Sequence, residues 1–171
     1  MRIAAILLAL MTSAATAAPG ISDEFAAGFG GVPWGIELAA LIAQFPGGYV
    51  TFSTAPGGLH YTLNIDDPVL GISRVGEHVT FEIGTDLKVM YIEIQVPYDQ
   101  ASALIEAVTT RFGPAKTLEV DGAITVRHWP TYQGFGINIR TTDNRAYGLT
   151  SLSITNLRPR PAVKSSGARP G

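Results

Sequence analysis

The chain has 171 residues and no cysteine, with 46% hydrophobic and only 15% charged residues and 19 glycines. Without cysteine there is no disulfide staple, thiolate metal site or thiol nucleophile, so stability must come from a buried core. Residues 18–157 hold seven Lys/Arg against fourteen Asp/Glu, a net −7, whereas residues 158–171 hold four cations and no acid; so acidic a domain argues against nucleic-acid binding.

Met1-Arg2 is followed by an apolar run from Ile3 to Met11 and then by the small residues Thr12 to Ala18. A charge, a short apolar core and a small-x-small end make a secretory signal pattern, with cleavage expected after Ala17. The run is roughly half the length needed to cross a bilayer, so no membrane span is expected. No Cys follows it, which excludes lipid attachment there. The expected location is a periplasm or the medium, and the expected organisation is a leader over 1–17, one α+β domain over 18–157 and a tail over 158–171. The tail carries Arg158, Arg160, Lys164 and Arg169 among Pro, Gly and Ser. Such a composition buries too little surface to order itself, so the reading for it is disorder.

In chain order, Phe29 to Gly35 reads as an extended segment closing in a turn, with Pro33 suited to an edge. Ile36 to Phe45 carries a helical stripe at 38, 41, 42 and 45 and stops at Pro46-Gly47-Gly48. Strands are expected at Tyr49–Ser53, Leu59–Ile65, Glu77–Ile83 and Lys88–Val96, the last two joined through Gly84-Thr85-Asp86. Pro68 to Val75 reads either as a linker or as a short extra strand. A second helix is expected from Tyr98 to Phe112, with Ala101, Leu104, Ile105 and Val108 as its stripe and Gly113-Pro114 as its stop. Strands follow at Lys116–Val120, Ala123–Trp129, Gly134–Thr141 and Gly148–Asn156, the first pair joined by Asp121-Gly122, a strong two-residue hairpin signal.

The order is one helix and four strands, twice. The reading is a tandem pair of αββββ units, with halves at 29–96 and 97–157 and a period of roughly 65 residues. Hairpins with two amphipathic helices imply an antiparallel sheet with both helices on one face. Alternation agrees: Leu59, Tyr61, Leu63 and Ile65 oppose His60, Thr62 and Asn64; Val79, Phe81 and Ile83 oppose His78, Thr80 and Glu82. Met90, Ile92, Ile94 and Val96 oppose Val89, Tyr91, Glu93 and Gln95, and Phe135, Ile137 and Ile139 oppose Asn138 and Arg140. The other face is then open to water or to a partner.

Catalytic signals are thin. His78 and Glu82 share a strand face but stand about 13 Å apart, too far to hold one metal ion. No G-x-S-x-G elbow surrounds Ser73 or any other serine. Asp66-Asp67 before Pro68 reads as turn chemistry, no glycine loop is placed to cradle phosphate, and Glu82 with Glu93 is the one acid pair that could flank a cleft. No metal or cofactor is expected. The helix-free face holds the better candidates: His60, His78, Glu82, Tyr91, Glu93, Arg140, and Arg127 with Trp129. Tyr, Trp and Arg are the side chains that most often anchor interfaces. The competing reading packs Trp129 at the sheet end beside Pro130.

Phe29, Gly31-Val32-Pro33-Trp34-Gly35, Leu38 and Leu41 together resemble the opening of many small exported bacterial domains, in which a G-[IV]-P-W/F-G turn leads into a short helix and then a sheet. The tandem helix-then-strands order resembles the architecture of β-lactamase-inhibitor-protein-like domains and, more loosely, of SmpA-type outer-membrane assembly lipoproteins. The lipoprotein cysteine and the paired cysteines of the inhibitors are missing here. The resemblance implies a non-catalytic protein-binding module and transfers no functional residue. The expected function is therefore binding of a protein or envelope component through the open face, with a small periplasmic hydrolase using His78, Glu82 and Glu93, or a small-molecule carrier, as alternatives.

Overall fold

A computed structural model describes residues 25–52, 58–132, 134–142 and 148–157. The expected leader and tail lie outside these residues, as does Ser53, the expected end of the first strand. The elements are α1 (Leu38–Gln44), β1 (Tyr49–Phe52), β2 (Leu59–Asn64), β3 (His78–Ile83), β4 (Val89–Pro97), a 3₁₀ turn (Tyr98–Gln100), α2 (Ala101–Phe112), β5 (Thr117–Asp121), β6 (Ile124–Tyr132), β7 (Phe135–Thr142) and β8 (Leu149–Asn156). The fold is mixed but mostly strand: one eight-stranded antiparallel sheet, in the order β1-β2-β3-β4-β8-β7-β6-β5, with two helices.

Register explains how the core forms. Tyr61, Phe81, Ile92, Ile154, Ile137 and Trp129 are opposed pairwise across six adjacent strands, so all six project from one face. None is more than 4% exposed. The neighbouring row on that face, Leu63, Val79, Ile94 and Leu152, is buried as well. Leu41 of α1 and Leu104 and Val108 of α2 belong to the same buried cluster, so both helices cover this face. Each such side chain contributes about 1.5–3 kcal/mol of gross burial free energy.

Short α1 has no side-chain cap, and tertiary contacts set where it begins. Ile36 and Glu37 were expected to be helical but are held extended against the β3–β4 hairpin. Gly35 N–H donates to Val89 O, Val89 N–H to Ile36 O, and Leu38 N–H to Leu87 O. At its other end, Phe45 O accepts the Tyr61 hydroxyl at 2.5 Å. Gly48 follows because a Cβ there would stand 2.5 Å from the Tyr61 ring.

Two irregularities correct the sequence reading of strand phase. Glu82 opposes Tyr91 while Ile83 opposes Val89, so Met90 is an extra residue in β4. The bulge shifts the phase, and Val89, expected to lie opposite the core positions, is 2% exposed beside buried Ile83. In β6 the register slips between Trp129 and Tyr132, where Pro130 has no N–H to offer the ladder. The strand thus continues past the proline to Tyr132. The β5–β6 loop is Gly122-Ala123, one residue later than Asp-Gly would place it. Gly122 has φ +55° and Ala123 has no positive φ, which is the type II′ pattern.

Residues 68–75 form no strand; Val69 and Ile72 make one isolated bridge around a tight turn. Their role centres on Arg74, which is 0% exposed. Its guanidinium donates to four backbone carbonyls: Gln95 O at 2.6 Å, Ile65 O at 2.8 Å, Asp67 O at 3.1 Å and His78 O at 2.9 Å. It also lies 5.4 Å from the Phe29 ring centroid. Desolvation lowers its pKa, while Glu77, Asp66 and Asp67 oppose that shift. The arginine ties the loop to β3, β4 and the segment before α1.

Candidate binding face

The face turned away from the helices is built by the same registers, one residue out of phase. One row holds His60, Glu82, Tyr91, Thr155 and Gly136. The next holds Thr62, Thr80, Glu93, Ser153, Asn138 and His128. His78 lies two residues along β3 from Thr80, and Arg140 is opposed to Ser151 and Val126 on the same side. Six of the eight nominated residues, His60, His78, Glu82, Tyr91, Glu93 and Arg140, therefore share the helix-free face.

Arg127 and Trp129 do not. Trp129 is 4% exposed in the core row and its indole N–H donates to Gly113 O, just past α2, at 2.8 Å. Arg127, two residues away on the same side, opposes Leu118 and Ile139. Both sides of β6 mix polar and apolar residues, with Thr125, Arg127 and Trp129 facing one way and Ile124, Val126 and His128 the other. Burying an indole removes more apolar surface from water than burying a valine, so the tryptophan sets the phase. His128 is thereby turned to the open face, where Nδ1 is 2.6 Å from Asn138 Oδ1. Its Nε2 is 3.4 Å from Glu119 Oε1 but makes no hydrogen bond. All three histidines of the chain thus lie on this face.

The middle of the face is a trough. There β8, one of the two central strands, presents Ser151 and Ser153, only 5% and 6% exposed. Tyr91 hydroxyl donates to Ser153 Oγ at 2.6 Å, and the Thr62 and Thr80 hydroxyls are 3.2 Å apart. A solvent-open groove of about 400 Å³ continues from the trough, lined by Tyr91, Ser153, Asn138, Val126, Ile124, Glu119 and Asp121. These residues come from five successive strands, so the sheet curls around the groove. Ser153, Glu119 and Asp121 were not among the candidates. Alternation does put Glu119 and Asp121 on one side of β5, but only the register places them beside Tyr91.

Glu93 is opposed to Thr80, midway between His78 and Glu82 on β3. Each is then a diagonal neighbour of Glu93, with Cα atoms about 7–8 Å apart. Among the described residues no group of three His, Asp or Glu side chains is placed to hold a metal ion, and no helix is long and apolar enough to cross a membrane. Trp34, ahead of α1, packs on Phe135 of β7, with ring centroids 5.8 Å apart. No family model, curated protein or solved structure matches the chain.

Proposed function

We propose that this is an exported, non-catalytic binding module that engages another protein or a cell-envelope component through the helix-free face of its sheet. The observation that carries the reading is the groove: residues from five adjacent strands line it, and neither helix covers it. Its lining mixes an aromatic ring, hydroxyls, an amide, two carboxylates and two aliphatic side chains, the mixed chemistry of a polar, wet interface. Export is part of the proposal and rests on the leader pattern of Met1 to Ala17. So is the tandem αββββ origin, which the strand order supports: β1 to β4 run inward from one edge and β5 to β8 run inward from the other. The likeness to β-lactamase-inhibitor-protein-like domains points the same way and supplies no partner.

The test is capture from an envelope extract by the intact chain, compared with a variant carrying Tyr91→Ala, Glu93→Ala and Arg140→Ala. All three positions lie on the open face, and none belongs to the buried cluster. The expected result is loss of the captured species with an unchanged circular-dichroism spectrum and a Tm within a few degrees. Equal capture by the two proteins would refute the assignment of the face.

A further inference from the structure

We propose that the basic segment 158–171 docks on the helix-free face of its own chain and competes there with the partner. This rests on the reading of that face as the binding surface and adds its regulation. Charge on the sheet is segregated. Glu82, Glu93, Glu119 and Asp121 share the open face with one arginine, Arg140. The other described cations stand elsewhere: Arg74 is buried, Arg127 lies on the helix side, Lys88 is 3.9 Å from Glu37 at the hairpin end, Arg111 is in the last turn of α2, and Lys116 precedes β5. The densest positive charge in the sequence is Arg158, Arg160, Lys164 and Arg169, with no acid among them.

The point of attachment suits this pairing. Segment 158–171 leaves β8, the fifth of eight strands, at Leu157, whose N–H donates to Gly134 O at 2.7 Å. That is the end of β8 where Thr155 opposes Tyr91, itself opposed to Glu82. Glu82 lies two strands from β8 and Glu119 three, or about 10 and 14 Å across the sheet. Lys164 can stand at most about 25 Å from Leu157 and Arg169 about 43 Å. Lys164 thus reaches Glu82 and Glu93, and Arg169 reaches Glu119 and Asp121. A tether this short holds the cations at an effective concentration on the order of millimolar. A partner in solution must displace them.

The experiment is zero-length carbodiimide cross-linking of the intact chain, with the joined peptides identified by mass spectrometry. Lys164 is the sole lysine of the segment, so every lysine-carboxylate link from it reports its position. The expected result is linkage to Glu82 and Glu93 at least about fivefold above that to Asp86 at the hairpin tip and Glu106 on α2, in about 20 mM salt and collapsing near 1 M salt. The triple variant Arg158→Ser, Arg160→Ser, Arg169→Ser keeps Lys164 and should lower those links several-fold. Links spread evenly over the four acids, links unchanged in the triple variant, or links found only between isotopically distinct chains would each overturn the proposal. Failure here leaves the partner-capture result standing, and failure of capture leaves the cross-links standing, so the two readings fall separately.

Discussion

Replacing Arg74 with Met keeps much of the side-chain volume and removes the guanidinium. Four carbonyls then lose a charged donor. Ile65 and Asp67 lie in a partly exposed loop, so their oxygens can turn to water. Gln95 and His78 are in strands next to the buried core, and their oxygens cannot. Two buried acceptors left unpaired cost about 1–3 kcal/mol each, and the lost contact with Phe29 adds about 0.5–1 kcal/mol. Against this, the variant no longer buries a guanidinium, a cost of several kcal/mol that the four hydrogen bonds offset in the native protein. The net expectation is a loss of about 3 kcal/mol. With a urea m-value of about 1.5–2 kcal/mol/M for a domain of this size, the unfolding midpoint should fall by about 1.5–2 M. Arg74→Lys should lose most of the same free energy, because one ammonium cannot span four separated carbonyls. A loss below about 1 kcal/mol in the Met variant would mean that the loop holds its place without the arginine, and the account of residues 65–78 given above would be wrong.

Trp129→Phe removes the bond to Gly113 O and leaves a void beneath α2; equilibrium denaturation should show a loss of about 2–3 kcal/mol, whereas an exposed interface tryptophan would show almost none. Leu87 sits at φ +61° with its side chain 58% exposed, so Leu87→Asn, better suited to that conformation, should raise stability by about 0.5–1 kcal/mol in the same assay.

Much of the architecture was legible because the strands alternate and Pro and Gly punctuate them. Each expected strand and helix has a counterpart, most within one or two residues at either end. Three things were hidden, each for a physical reason. The Met90 bulge is a property of strand pairing, and the residues of β4 alone carry no mark of it. The side taken by Trp129 depended on what its indole would meet, and its acceptor, Gly113 O, is a backbone atom 16 residues away. The role of Arg74 was hidden because burial of its guanidinium depends on four carbonyls from three separate segments. The face followed the same logic: alternation could place His60, His78, Glu82, Tyr91 and Glu93 on one side. Joining them to Glu119, Asp121 and Ser153 required the order of the strands, above all the β4–β8 pairing that joins β1 to β4 with β5 to β8 in one sheet.

That central pairing also limits what can bind. A sheet face meant to be sealed by a second apolar layer would carry its largest aliphatic residues on the innermost strands, where burial is deepest. Here β8, one of the two innermost strands, sends Leu152 and Ile154 to the helix side and Ser151, Ser153 and Thr155 to the other. Covering those hydroxyls with hydrocarbon would cost about 1–3 kcal/mol for each one left without a partner. An apolar layer packed over the centre of this face is therefore disfavoured, and a partner that seats there must bring hydrogen-bonding groups or retain water. Within the groove the aliphatic side chains are Ile124 and Val126, on the β6 side, next to Glu119 and Asp121. A side chain with an apolar stem and a cationic head matches that arrangement: its methylenes can lie on Ile124 and Val126 while its head meets the carboxylates. Arginine and lysine have that form, whether they come from the chain's own basic segment or from the partner that displaces it.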